Sequence, residues 1–291
     1  MAKKSIITEN DLFKEDIVNR LRERMPLIEQ RVLDDIFKIV DTYNSAGGLF
    51  TQGVLNAEQL IELSNVIEQS LVRNGYVTDV RTFISDFGKV TLNTAQILND
   101  VGGYSFNKLP LSSIEKKWQN ATAESLLNSG INEEFKRPIL KILDETISYG
   151  GSIESAKKSL TEFVVGGKDS SGKLHSYLTQ TARDSVGQLQ GQQFQSISAN
   201  IETAGVRYVG GLLKDSRGQC THWVRDLKGF IAWDKLDEEI RLAYKYQKEK
   251  KVIDGVHKYG GMMPNTTKKN FLANKGGFNC THTAIPVRKK P

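Results

Sequence analysis

Both cysteines of the chain stand in the same tripeptide, Cys220-Thr221-His222 and Cys280-Thr281-His282. In an extended segment residues i and i+2 share a face, so each copy presents a thiol and an imidazole to one point. Two such faces opposed supply the donor count of a tetrahedral zinc site, with Cys220, His222, Cys280 and His282 as the candidate ligands. The single residue inside each copy is shorter than the spacing of about two to four usual in such sites. A Cys220–Cys280 disulfide is a second reading and needs an oxidising medium, because a cytosolic chain keeps its thiols reduced. The third is a pair of small buried hydrophobes packed near each other. A nucleophilic thiolate would need a base and an orienting carboxylate. His222 or His282 and Asp215 or Asp226 are at hand, at spacings that no catalytic motif specifies.

The surroundings of these tripeptides read as structural. Asp215 and Arg217 are expected to form an ion pair that fixes the loop entering the first cysteine segment, or else an exposed surface pair of little energetic weight. Glycine pairs at 260–261 and 276–277 mark tight turns before short motifs. The aromatic residues Trp223, Phe230, Trp233, Tyr244, Phe271 and Phe278 are enough to core a small unit. His175 and His257 lack partners in sequence and read as ordinary polar residues. The loop Gly166–Lys173 lacks the spacing of a phosphate cradle and is the most linker-like stretch of the chain.

Charge separates this region from the rest. Residues 1–205 carry 22 Lys+Arg against 26 Asp+Glu, whereas 206–291 carry 18 against 8. So basic a final third attracts a polyanion, with nucleic acid the commonest, or else is a solvated surface. Across all 291 residues the net charge is +6, with 38% hydrophobic and 25% charged residues. Those are globular proportions, which exclude a collagen, a disulfide scaffold and a wholly disordered chain. No apolar run approaches the length of about 18 residues that spans a membrane. Charge returns at Glu9 before an apolar signal region forms, so the expectation is a chain made and kept in a cytoplasm.

The elements that must position the tripeptides are mostly helical. Ile17, Leu21, Met25, Ile28, Val32, Ile36 and Ile39 trace one helical stripe, which Pro26 should kink or split. After a break at Gly47-Gly48, Asn56 and Gln59 form a capping-box pattern before Leu60, Leu63, Ile67 and Leu71, with Asn74-Gly75 as the stop. Helices follow at about 79–100, 112–129, 133–148 and 152–164. The longest spans about 174–204 and carries a glutamine-rich face, Gln188, Gln190, Gln192, Gln193 and Gln195, that suits solvent better than a partner. Beyond Gly205, strands at 206–213, 229–233 and 284–288 surround a helix at about 235–250. The expected fold is mainly α, an elongated helical N-terminal body (1–173), a long connecting helix (174–205) and a small basic α+β C-terminal domain (206–291).

In order, the run Thr181–Ser185 through Ala204–Val209, then Asp215-Ser-Arg217-Gly-Gln-Cys220 and Asp226-Leu-Lys-Gly229, resembles the phage head morphogenesis family of Mu F-like minor head proteins. The ending Gly276-Gly-Phe-Asn279-Cys280-Thr-His282, followed by Ile285-Pro286-Val287, is similar to that family's closing motif. Two departures stand out: His222 takes the place of a second nearby cysteine, and Thr281 replaces an arginine common between the last ligand-like residues. The resemblance covers roughly residues 175–288. It implies a non-enzymatic minor capsid protein in the head interior near the portal vertex of a virion, made in the host cytoplasm. Its implied partners are portal or major capsid protein and genomic double-stranded DNA bound without sequence preference, and its implied action is in head assembly or DNA delivery. It implies Asp215, Arg217 and Asn279 as structural motif residues and no cofactor beyond a structural zinc. Two other classes are a metal-dependent nuclease or toxin-like enzyme in the C-terminal domain, and a cytoplasmic DNA-binding or scaffolding protein.

Overall fold

A computed structural model describes residues 2–43, 57–104, 111–149, 151–212, 216–248, 251–253, 256–258, 262–275, 277, 280 and 282–289. The expectations placed on Gly47-Gly48, Asn56, Asp215, Gly260-Gly261, Gly276, Phe278 and Asn279 lie outside the described residues.

The chain is mainly helical with a small antiparallel sheet region near its C-terminus. It begins with α1 (Ala2–Glu23), α2 (Met25–Thr42), α3 (Ala57–Arg73), α4 (Tyr76–Ser85) and α5 (Phe87–Asp100). Next come α6 (Ser112–Leu127), the short α7 (Ser129–Ile131), a π-helical turn (Asn132–Lys136), α8 (Arg137–Ser148) and α9 (Ile153–Val164). A two-residue hairpin, β1 (Gly166–Gly167) and β2 (Ser170–Ser171), leads into α10 (Lys173–Asn200) and β3 (Thr203–Val209). Then follow α11 (Gly218–Thr221), a second π turn (His222–Asp226), β4 (Phe230–Ala232) and α12 (Leu236–Lys248). The hairpin β5 (Lys251–Ile253) and β6 (Val256–Lys258), α13 (Phe271–Asn274) and β7 (Thr283–Arg288) complete it. Among the described residues, no helix is long and apolar enough to cross a membrane.

Two compact units divide the chain: one of Met1–Glu15, Asp86–Trp118 and Arg183–Pro291, the other of Asp16–Ser85 and Gln119–Ala182. This division differs from the boundaries at 173/174 and 205/206 expected from chain order. The reason is burial. A three-stranded sheet in the order β4-β3-β7 leaves its apolar residues uncovered unless other segments are recruited. The core of the first unit therefore joins Val206, Tyr208, Ile231, Ala284 and Ile285 of the sheet to Ile97, Leu98, Val101 and Tyr104 from near α5, and to Phe194 and Ile197 of α10.

The second unit is built by the helical stripe read from the sequence. Ile17, Leu21, Met25, Ile28, Val32 and Ile36 are all buried, and Pro26 sits in the first turn of α2, just after the break that ends α1. A proline is tolerated there because the first N–H groups of a helix have no intrahelical partner. Ser152 caps α9 by accepting a hydrogen bond from Ser155 N–H at 3.1 Å.

The glutamine face of α10 corrects the solvent expectation. Gln190 and Gln193 are fully buried, and their amides donate to Thr94 Oγ1 at 3.3 Å and Thr91 Oγ1 at 2.8 Å on α5. Lys14 Nζ donates to Gln190 Oε1 at 3.0 Å and to Thr283 Oγ1 at 3.2 Å, tying α1 to β7. Gln195 Oε1 accepts from Leu272 N–H at 3.3 Å. An uncharged amide both donates and accepts, so it can be buried where a hydroxyl row faces it.

Candidate functional site

The strands fix the first part of the site. Along the β3–β7 pair Tyr208 stands opposite Ala284 and Val209 opposite Thr283, so the residue entering β7, His282, arrives beside the residue leaving β3, Gly210. A Cβ on Gly210 would stand 2.6 Å from His282 Cδ2, and Gly210 has φ +152°. Only glycine lets the imidazole lie that close to the chain. The imidazole stacks on the Tyr208 ring at 5.1 Å between centroids and 14° between planes. Trp223 meets the Tyr208 ring edge-on at 5.0 Å and 74°, and Phe271 edge-on at 5.3 Å and 77°.

The two cysteine segments, sixty positions apart in the chain, meet on this aromatic stack. Tyr208 Oη lies 3.3 Å from Cys220 Sγ and 3.4 Å from Cys280 Sγ. Cys280 Sγ is 3.7 Å from His282 Nδ1. Both sulfurs and an imidazole nitrogen of His282 fall within 4.8 Å of one another. Cys220 is buried, Cys280 half-buried, and both are free thiols.

His222 does not join them, which corrects the four-ligand expectation. Cys280 and His282 both lie just before β7 and bring Sγ and Nδ1 to 3.7 Å of each other. Cys220 lies within the helical turn that ends at Thr221 and His222 begins a π turn, and residues two apart on a helix point to widely separated sides. His222 is directed instead to two carboxylates, with Nδ1 3.1 Å from Asp226 Oδ2 and Nε2 3.2 Å from Glu239 Oε2. Glu239 also accepts from Trp223 Nε1 at 3.0 Å, so it positions the indole beneath the site. Arg217 precedes α11 as its N-cap residue and its carbonyl accepts from Thr221 N–H at 3.0 Å. Its motif partners Asp215 and Asn279 lie outside the described residues.

The sulfurs are electrostatically unequal. The hydrogen bond from Cys220 holds the Cys280 thiol well below its ordinary value, against the opposing effect of burial, with His282 and Tyr208 adding to the depression. The same bond to Cys280, then burial, drives the Cys220 thiol upward. Burial first, then the two sulfurs, pushes the Tyr208 hydroxyl up as well. The shared hydrogen bonds thus favour ionisation at Cys280 over Cys220 and Tyr208. Nearby Lys275 is buried, and burial followed by Lys14 pushes its ammonium down to about 8 while the charge at Cys280 opposes that fall.

The residues present suit a thiophilic divalent metal. Tetrahedral zinc with ordinary bond lengths places a sulfur and an imidazole nitrogen about 3.6 Å apart, close to the 3.7 Å between Cys280 Sγ and His282 Nδ1. Among the described residues His282 Nε2 is buried with no hydrogen-bond partner, which leaves Nδ1, the nitrogen beside Cys280, as the candidate ligand atom. Cys220, Cys280 and His282 would supply three ligands to such a metal.

Tyr208 is the participant that motif reading missed. Its signal was its place in the strand Val206–Val209, whose alternation puts residues 206 and 208 on one face. Nothing in that pattern indicated that its hydroxyl would bridge two sulfurs from distant segments. Lys275 and Glu239 carried no signal at all. Comparison of the chain with protein-family models, with curated proteins and with solved structures gave no match.

Proposed function

We propose that the chain is a minor structural protein of a tailed-phage head, bound near the portal and the packaged DNA and acting in head assembly or DNA delivery. The observation that carries this reading is the meeting of the Cys220 and Cys280 segments on Tyr208 within one unit. Motifs in the order described are expected to close a single module, and adjacency of the two sulfurs is the geometric condition for that. In this reading the cysteine centre is a clasp rather than a reaction centre. Zinc held by Cys220, Cys280 and His282 would supply structural cross-linking there.

The helical unit offers amphipathic faces for portal or coat contacts. The excess of 18 Lys+Arg over 8 Asp+Glu in residues 206–291 suits the neighbourhood of a polyanion. Quantitative mass spectrometry of purified particles tests the reading: the chain is expected in them at low copy number. Salt-dependent duplex binding combined with complete absence from particles would overturn it in favour of a protein that is never packaged.

A further inference from the structure

We propose that Cys220 and Cys280 form a reversible oxidation site, at which a small-molecule disulfide converts the two thiols into one intramolecular disulfide that fastens α11 to the entry of β7. The inference stands on the geometry of the pair and is independent of the phage reading.

Three observations carry it. The two sulfurs are within 4.8 Å of each other and share one hydroxyl, so the folded chain holds them nearly in place to join. Their access is unequal, because Cys280 is half-buried whereas Cys220 is 2% exposed. Cys280, the residue with the greater exposed surface, is assigned as the one that meets a reagent first, with Cys220 resolving the mixed disulfide. Finally, the surrounding stack of Tyr208, His282 and Trp223 fixes both segments, so the adjacency belongs to the fold and is lost on unfolding.

The chemistry balances in two exchanges. The Cys280 sulfur attacks one sulfur of the small disulfide, breaking that S–S bond, forming a mixed disulfide and releasing one small thiolate. The Cys220 sulfur, giving up its proton, then attacks the Cys280 sulfur and releases the second small thiolate. Two protein thiols lose two electrons in total, the small disulfide gains two, and the two protons end on the released thiols.

The test uses the full-length chain, reduced and freed of metal by a chelator, equilibrated in glutathione buffers of graded ratio, quenched by alkylation and read by intact mass. Both thiols are expected to disappear together, with no retained glutathione. The equilibrium constant should be at least about tenfold above that of the same chain in denaturant, where sixty residues must close a loop. A stable glutathione adduct on the wild-type chain, disulfide-linked dimers, or equal constants for folded and denatured chains would each overturn the proposal. In a Cys220→Ala variant glutathione should stay trapped on Cys280, and failure to trap it would overturn the assigned order of attack. The wild-type titration stands even if that variant does not fold.

Discussion

The imidazole of His282 lies flat on the phenol ring of Tyr208, 5.1 Å between centroids and inclined by 14°. The stack makes the position of one aromatic ring depend on the other and sets the Tyr208 hydroxyl between two sulfurs. Tyr208→Phe separates these roles, since it keeps the ring and removes the hydroxyl. It should lower stability by about 1 kcal/mol in denaturant unfolding. It should also raise the Cys280 thiol, because one of the bonds that depresses it is gone. The pH dependence of Cys280 alkylation checks this, and an unmoved profile would remove the hydroxyl from the account.

The two histidines of the repeated tripeptide should behave differently toward metal. Cobalt, a spectroscopic stand-in for zinc, should bind with sulfur-to-metal charge transfer. His282→Ala should weaken it by about ten- to a hundredfold, while His222→Ala should leave it unchanged, because His222 is turned toward Asp226 and Glu239. Equal losses for both variants would mean that His222 is a ligand after all.

Glu29 gives the second unit a pH dependence. It is 1% exposed, and its Oε1 accepts from His175 N–H at 2.7 Å at the start of α10. Gly172 makes room for it, since a Cβ there would stand 2.4 Å from that oxygen. Burial raises the Glu29 carboxyl from 4.5 to about 7, with the His175 and Leu174 N–H groups opposing. A raised value means that the folded chain holds the proton more tightly than the unfolded chain. The Glu29 contribution is therefore complete below pH 4.5, declines as pH rises through about 7, and is flat above. Denaturant unfolding across that window should show the decline in the wild type and lose it in Glu29→Gln, which keeps an acceptor without the charge. The same slope in both proteins would assign the pH dependence elsewhere.

The sheet should not fold from residues 206–291 alone. Its core is completed by Ile97, Leu98, Val101, Phe194 and Ile197, all outside that segment. The isolated fragment is expected to unfold without a cooperative transition. In the full chain Phe194→Ala, at a side chain with no exposure, should lower stability by about 3–5 kcal/mol. A cooperative transition in the fragment would show that recruitment is dispensable.

The local elements were legible in the sequence wherever one periodicity dominated. The stripe from Ile17 to Ile36, the break just before Pro26 and the strand at Val206–Val209 all follow from residue type and spacing. The expected helix at about 79–100 is two helices, α4 and α5, parted at Asp86. Burial of Gln190 and Gln193 was illegible because a glutamine row looks the same whether it faces water or the threonines of another helix. Half of the site was legible for a related reason. Cys280 and His282 converge on one point as the tripeptide reading expects, whereas Cys220 and His222 lie in a helical segment that the tripeptide itself does not announce. The partners Tyr208 and Glu239 come from tertiary packing, which a single sequence does not encode in any short pattern.

Adjacency of the Cys220 and Cys280 sulfurs underlies both the clasp and the oxidation site, and a trivalent aryl arsenical measures it directly, since it binds tightly only where two thiols reach one arsenic atom. The native, reduced, metal-free chain should take up one equivalent and lose both alkylatable thiols together, with Cys220→Ser and Cys280→Ser each abolishing uptake. Two thiols that react independently in the folded wild type, with no arsenical retained, would contradict the account.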